Sequence, residues 1–476
     1  MARGASLSAK WSRVAIAWLP FADAASADLP LGRLLRLALF QVSVGMVMVL
    51  LNGTLNRVMI VELGLPAWLI ALMIAIPLVF APLRALIGQR SDNHRSALGW
   101  RRVPYLWFGT LLQFGGLAIM PFSLLLMSSP DNIALGASAA VIAFLLTGAG
   151  MHTTQTAGLA LATDLAAPDK RPRAVALLYV MLLAGMMLSA LVMGRLLADF
   201  SPTRMVQVIQ GAAVLTVIFN IVALWKQEGR SVAIASDETP RPRFSNVWRE
   251  FVARGRTRRL LIAIGLGTAA FAMQDALLEP FGGEILGLSV GATTLLTGGW
   301  ALGALAGFTL SARWLGAGLE PLRLAGMGAV IGIAAFLMVI FAAPLSSALL
   351  LGCGAVAIGL GVGLFSVGTL VAAMALADTE GSGLALGAWG AVQASCAGLA
   401  IALGGIVRDV VAFFAVQDGL GATLADRATG YGVVYTLEIA LLLATLVVLG
   451  PLVGSEARLP REDTGATRFG LTEFPT

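Results

Sequence analysis

Long apolar runs separated by short polar loops dominate the chain. Each run holds at least the ~20 residues that an α-helix needs to cross the hydrocarbon core of a bilayer. None shows the two-residue alternation typical of strands in a membrane β-barrel. The pattern therefore predicts an all-α membrane protein with twelve transmembrane helices. The predicted spans are residues 34–60, 66–89, 104–127, 133–162, 173–197, 204–226, 258–281, 289–314, 321–343, 346–377, 384–415 and 430–453.

The composition agrees with this interpretation. Hydrophobic residues make up 58% of the 476 residues and charged residues 12%, whereas soluble domains carry about 25% charged residues. The 55 glycines are expected where membrane helices pack closely. Cys353 and Cys396 both lie in apolar runs, so neither a disulfide framework nor a metal site is expected.

Basic residues predict the orientation. Arg and Lys concentrate in the N-terminal tail, in the loop at 90–102, around Lys170 and in the stretch at 227–257, whereas the loops on the other side carry mostly Asp and Glu. By the positive-inside rule both termini are cytoplasmic. These loops account for the net charge of +6, and we expect no nucleic-acid partner.

The polar stretch between the sixth and seventh spans divides the chain into two halves. An offset of 222 residues places Asn52 on Gln274, Arg57 on Glu279 and Glu62 on Glu284. Such a weak parallel repeat is typical of a 6+6 transporter fold. The predicted organisation is a cytoplasmic N-terminal tail with an interfacial amphipathic helix (1–33), a six-helix bundle (34–226), a cytoplasmic linker (227–257), a second six-helix bundle (258–453) and a cytoplasmic tail (454–476).

The ionisable residues within or beside the apolar runs of the first and seventh spans include Arg57, Asp275, Glu279 and Glu284. Charges inside a bilayer are costly, so they are expected to face the bundle interior and to pair. The repeat-equivalent Arg57 and Glu279 carry opposite charges. We predict an Arg57–Glu279 pair or network near the periplasmic side, with Asp275 close by. The alternative is that these residues meet water at the membrane interface.

The loop after the second span carries a motif of its own. Gly88-x-x-x-Asp92 followed by Arg101-Arg102 resembles the cytoplasmic loop signature of the major facilitator superfamily, which latches two helices together. This sequence inserts residues between Asp92 and Arg101. The alternative interpretation is an ordinary solvated, positively charged loop.

Longer stretches resemble a branch of that superfamily, the PucC/LhaA (bacteriochlorophyll delivery) family. They include MHTTQTAGLALATD, from Met151 to Asp164, and together they touch most helices. The complete set is 81–122, 151–186, 265–294, 383–405 and 435–453. The resemblance implies a non-enzymatic assembly factor for light-harvesting complexes, of the core LH1 type, in the inner (intracytoplasmic) membrane of a photosynthetic bacterium. It also implies bacteriochlorophyll, bound or in transit, as the cofactor. The implied partners are antenna polypeptides, the reaction centre, and pigment-synthesis or membrane-insertion machinery.

Our own candidates for a pigment ligand are His152 and Gln155. His152 lies in the fourth span beside Gly148, Gly150 and Gly158. Neutral imidazole is a common metal ligand, and a flat macrocycle needs small neighbours. The alternative is a histidine that is hydrogen-bonded to a neighbouring helix.

Two other function classes stay open. One is a secondary transporter of a small solute or ion, with Arg57, Asp275 and Glu279 as coupling residues. The other is a pigment-free membrane scaffold for antenna assembly. An enzyme is not expected, because the sequence holds no P-loop, no CxxC motif and no clustered His and Cys ligands.

Overall fold

The computed structural model describes residues 29–79, 100, 102–167, 170–227, 255–380, 382–417 and 426–453. Over these ranges the regular secondary structure is helical throughout. The membrane helices are α1 (Leu31–Glu62), α2 (Ala67–Val79), α3 (Val103–Met127), α4 (Ile133–Leu165), α5 (Arg171–Leu196), α6 (Pro202–Leu224), α7 (Gly255–Glu284), α8 (Val290–Gly316), α9 (Pro321–Ala342), α10 (Ala348–Glu380), α11 (Ser382–Val416) and α12 (Ala428–Leu449).

Eleven of these helices are long and apolar enough to cross a bilayer within the described residues. The other is α2, whose predicted span continues to residue 89, beyond the described part. The remaining helix ends lie within a few residues of the predicted spans. The predicted N-terminal amphipathic helix, the centre of the linker and the C-terminal tail lie outside the described residues, so the domain boundaries stay predictions.

Local sequence signals explain several helix starts. The Ser201 hydroxyl caps α6 by accepting from the Arg204 N–H at 3.2 Å, and Ser289 caps α8 through the Ala292 N–H at the same distance. Pro at the first turn opens α6 and α9, where it removes a donor that has no helical partner. These local signals therefore mark the starts of α6, α8 and α9.

The glycines set the closest helix contacts within each half. In the first half, a Cβ on Gly109 of α3 would lie 2.8 Å from the Gly150 carbonyl oxygen of α4. In the second half, α8 meets α10 through Gly307 and Gly363, and a Cβ on either glycine would lie 3.0–3.1 Å from the Cα of the other. Gly359-x-Gly361-x-Gly363 thus serves helix packing, as membrane helices generally require.

The two halves meet through α2 on α11, α5 on α8 and α1 on α7 and α8. A Cβ on Gly405 of α11 would come within 2.8 Å of the Ala67 carbonyl oxygen. Likewise, a Cβ on Gly194 of α5 would come within 2.9 Å of the Gly291 carbonyl oxygen. Both contacts lie toward the membrane side that holds the loops 63–66 and 285–289. We call this side of the membrane the far side. The opposite side, where residues 29 and 453 lie, is called the tail side.

Candidate functional site

Helices α1 and α7 both lose regular α-helical geometry at the same point of the repeat. In α1, π-helical turns cover Val49–Thr54 and Val58–Glu62. In α7, a 3₁₀ turn covers Met273–Ala276, after which a short helix, Leu278–Glu284, completes the span. The offset of 222 residues superposes these segments. Irregular turns are frequent at functional sites, and broken helices mark binding sites in transporter folds, so the candidate site is built around them.

The Arg57 guanidinium is buried at this point, with 5% of its side chain exposed. It forms an ion pair with Glu62 and donates to the Leu288 carbonyl oxygen at 3.0 Å. Arg57 therefore forms its direct ion pair with Glu62, whereas the sequence predicted a pair with Glu279. Glu279 lies near enough to act on Arg57 electrostatically. Arg57 can pair with Glu62 because the π turn brings residues five apart onto the same side of α1.

Glu279 is buried between the two halves, with 3% of the residue exposed. It accepts a hydrogen bond from the Thr297 hydroxyl of α8, and it lies against Gly53 of α1, where a Cβ would collide with the carboxyl group. Beside it, the hydroxyls of Thr54 and Thr294 lie 3.1 Å apart. These polar contacts connect α1 to α7 and α8 across the interface.

Glu284 belongs to a second cluster. We expected it in the network of Arg57, but it forms an ion pair with Arg408 of α11 and accepts from the Tyr431 hydroxyl of α12 at 2.7 Å. Arg408 also pairs with Asp409 at 2.7 Å and lies 4.7 Å from the ring centroid of Tyr431. This difference from the prediction has a geometric cause. Glu284 is the last residue of α7, five residues after Glu279, so its side chain points toward α11 and α12 and away from α1.

Asp409 joins this cluster to the other half of the protein. One of its carboxyl oxygens accepts from the Trp68 N–H at the start of α2, at 2.8 Å. The first N–H groups of a helix have no helical acceptor and carry partial positive charge. Asp409 therefore acts as a helix cap supplied by the opposite half, and it ties α2 to α11 on the far side.

A carboxyl pair lies in the interior of the second half. Glu438 of α12 is fully buried, and neither of its carboxyl oxygens has a hydrogen bond of normal geometry within the described residues. Asp275, in the 3₁₀ turn of α7, lies close enough to interact with it electrostatically. The Gln274 side-chain amide donates to Asp275, and the Asn56 side chain of α1 reaches the Asp275 carbonyl oxygen at 3.4 Å. Charge is costly at this depth, so the pair needs a neutralising proton, cation or ligand group.

Three charged residues of these clusters were not predicted from the sequence: Glu438, Arg408 and Asp409. A signal was present in each case, because each is a lone charged residue or charged dipeptide inside an otherwise apolar run. An intramembrane ionisable residue is by default a functional candidate. Glu438 in the run YTLEIALLLATLVVLG would have qualified on that ground alone.

The predicted latch loop lies mostly outside the described residues, including Gly88, Asp92 and Arg101. Arg102 is described, with 7% of its side chain exposed. Its Nε lies 3.1 Å from a carboxyl oxygen of Asp164, at the end of α4. Arg102 thus joins the start of α3 to the end of α4 on the tail side.

His152 lies within α4 and is 8% exposed. Its helix packs closely on α2 through Gly148 and Pro77, and on α1 through Gly158 and Phe40. Gln155, one turn away, is half-buried. A tetrapyrrole would need these packed helices to separate before it could reach the His152 imidazole. The roles of His152 and Gln155 as pigment ligands stay predictions.

A cavity of about 760 Å³ lies on the far side, between the halves. Trp68, Glu284, Arg408 and Asp409 contribute to its wall. The ionic cluster therefore borders this cavity directly beside the contact of α2 with α11.

The comparisons with known proteins agree with the fold and give the family. A family model described as PUCC protein matches residues 54–457. The chain belongs to the PucC protein family. It is 54% identical over 468 residues to the protein of the puhA-bchM intergenic region in Rhodobacter capsulatus, covering 97% of this chain and 98% of that protein. It is also 56% identical over 402 residues to Protein PucC of Rhodovulum sulfidophilum, covering 83% and 88% of the two chains.

Among solved structures, the fold is similar to that of a bacterial homologue of the human lysosomal transporter Spinster. The TM-score is 0.67 at 15% sequence identity, over 88% of this chain and 95% of the other. The predicted fold class is confirmed: an all-α, multi-pass membrane protein with the 6+6 architecture of the major facilitator superfamily.

Proposed function

We propose that the protein is a non-enzymatic assembly factor for light-harvesting complexes in a photosynthetic bacterium. In this role it delivers or inserts bacteriochlorophyll and chaperones antenna polypeptides, those of the core LH1 complex in particular. The observation that carries the proposal is membership of the PucC family along residues 54–457, together with 54% identity to a protein of the puhA-bchM intergenic region.

Elementary physics supports a membrane protein in this role. Each buried CH₂ group of a pigment tail contributes ~0.8 kcal/mol to burial away from water, so bacteriochlorophyll does not travel through the cytoplasm unaided. A polytopic protein can accept such a molecule laterally from the bilayer and present it to an antenna helix. The proposed partners are antenna polypeptides, the reaction centre, and pigment-synthesis or insertion machinery.

The proposed location is the inner (intracytoplasmic) membrane, with both termini in the cytoplasm. The basic residues beside the tail-side helix ends support this orientation. Reporter domains fused after residue 476 and within the loop at 343–347 test it. At residue 476, only a reporter that is active in the cytoplasm is expected to work. In the loop at 343–347, only a reporter that is active in the periplasm is expected to work.

A complementation experiment tests the function. In a host whose own member of the family is deleted, this chain is expected to restore the antenna absorption bands relative to those of the reaction centre. An empty vector is the control, and the reaction-centre bands serve as an internal standard. Antenna bands that stay at the level of the empty vector, although the protein reaches the membrane, would contradict the proposal.

A secondary transporter of a small solute or ion is the second candidate. The buried carboxyl pair of Asp275 and Glu438 favours it, since such groups form proton and ion relays in transporters. Proton-dependent solute flux into vesicles that contain the purified protein is its test. Flux that disappears with Asp275→Asn would support it over the assembly factor.

A further inference from the structure

A groove on the outer surface of the first half is separate from the site described above. It lies between α1, α5 and α6, and its volume is about 550 Å³. Its wall is mostly apolar, with Val42, Met46, Leu188, Leu215 and Phe219 among its residues. Leu188 and Leu215 are 58% and 42% exposed, so the groove opens to the lipid.

The charged groups of the groove are confined to one end. Arg195, in the last turn of α5, and Arg204 and Gln207, in the first turns of α6, line it there. All three therefore lie at the far-side end, at the depth of the lipid headgroups. From Arg204 to Phe219 the groove follows fifteen residues of α6, which at 1.5 Å per residue is ~22 Å. That length exceeds the ~15 Å thickness of the hydrocarbon in one leaflet.

The two arginines differ in their partners. Arg204 donates to the Asp199 carbonyl oxygen at 3.0 Å and lies 3.5 Å from the Asp199 carboxylate, so its charge is partly compensated. Arg195 is exposed, and its guanidinium has no ion pair or hydrogen bond within the described part of the chain. An uncompensated guanidinium above an apolar groove is complementary to a phosphate that carries an acyl chain.

We propose that this groove binds an anionic phospholipid, with one acyl chain between α5 and α6 and the phosphate at Arg195 and Arg204. Gly211 makes room for the chain, because nothing lies within 4 Å of the position of its Cβ. A zwitterionic lipid fills the same groove but presents a headgroup without net negative charge. The site therefore discriminates by charge at one end and by shape along its length.

Native mass spectrometry of the full chain in neutral detergent tests the proposal, with phosphatidylglycerol and phosphatidylcholine as probes. The wild-type protein is expected to bind phosphatidylglycerol more tightly. Arg195→Gln is expected to weaken phosphatidylglycerol binding about fivefold, the effect of one basic residue near anionic lipid. It is expected to weaken phosphatidylcholine binding less, because the choline group balances the charge of that phosphate. Gly211→Leu, which fills the groove, is expected to weaken both lipids.

Two matched variants keep the test specific. Arg313→Gln removes another exposed helix-end arginine, on α8, and Gly115→Leu fills open space on the lipid side of α3. Both are expected to bind like the wild type, and size-exclusion profiles confirm that all variants are folded. Equal affinity of the wild type for the two lipids, or equal effects of Arg195→Gln and Arg313→Gln, would overturn the proposal. So would a co-purified antenna polypeptide or pigment that displaces phosphatidylglycerol from the groove. The comparison of the two lipids and of the variants does not depend on the proposed role in antenna assembly.

Discussion

The contact of Asp409 with the start of α2 makes a sharp prediction, because this hydrogen bond joins a side chain of one half to the backbone of the other. Replacing Asp409 with Ala removes an acceptor 2.8 Å from the Trp68 N–H. A hydrogen bond to a charged group contributes about 1.5–3 kcal/mol, and loss of a helix cap costs about 0.5–2 kcal/mol. The Asp409 side chain is 18% exposed, so water can replace part of the contact. We therefore expect a cost of about 1–2 kcal/mol.

That cost favours separation of α2 from α11 on the far side. A change of about 1–2 kcal/mol raises the population of the separated state about 5- to 30-fold. The assay uses a cysteine substituted for Ile60, which is 5% exposed and lines the cavity beside Asp409. Cys353 and Cys396 are first replaced by Ala. The rate at which a hydrophilic maleimide labels the introduced cysteine in detergent then reports the open population.

The chain supplies a matched control for this experiment. Asp426 also caps a helix, by accepting from the Ala428 N–H at 3.2 Å, but both groups belong to the second half. Asp426→Ala is expected to leave labelling of the introduced cysteine within about twofold of the parent rate. Equal rates for Asp409→Ala and Asp426→Ala would refute the assignment of Asp409 as a contact between the halves.

Two further predictions concern the helix packing and the carboxyl pair. Gly359→Ala should lower the thermal unfolding midpoint through overpacking worth about 1–3 kcal/mol, because the new Cβ collides with the Trp300 carbonyl oxygen. Gly352 on the same helix has open space around the position of its Cβ, so Gly352→Ala should not lower the unfolding midpoint. Equal midpoints for the two variants would contradict the packing argument. Asp275→Asn and Glu438→Gln should show a coupling of about 0.5–3 kcal/mol in a double-mutant cycle of unfolding free energy. Additive effects would show that the two carboxyl groups do not interact.

Much of the architecture is predictable from the sequence, because the bilayer imposes a strong constraint. Backbone groups in hydrocarbon must be satisfied within the segment, so a long apolar run has almost no alternative to a helix. The helix ends follow from local signals such as Ser201 and Ser289. The repeat offset also aligned Arg57 with Glu279, which lie beside the irregular turns of α1 and α7, but the turns themselves were not predicted.

The partners of the buried charges are harder to predict. Residues five apart, such as Arg57 and Glu62, do not face each other on a regular α-helix, and only the π turn at Val58–Glu62 makes their ion pair possible. Likewise, the choice of Arg408 as the partner of Glu284 depends on how α11 is rotated against α7. That rotation is set by glycine contacts such as Gly404 on Met273, which a hydropathy pattern does not contain.

The proposed function makes one main claim: the protein handles bacteriochlorophyll while it assists antenna polypeptides. The most direct measurement is purification of the full chain from a photosynthetic host in mild detergent, with an absorption spectrum and mass spectrometry of the bound proteins. We expect a stoichiometric bacteriochlorophyll band together with co-purified antenna polypeptides. Antenna polypeptides without pigment would favour a pigment-free scaffold. Neither pigment nor antenna polypeptide, combined with proton-dependent solute flux in vesicles, would contradict the claim.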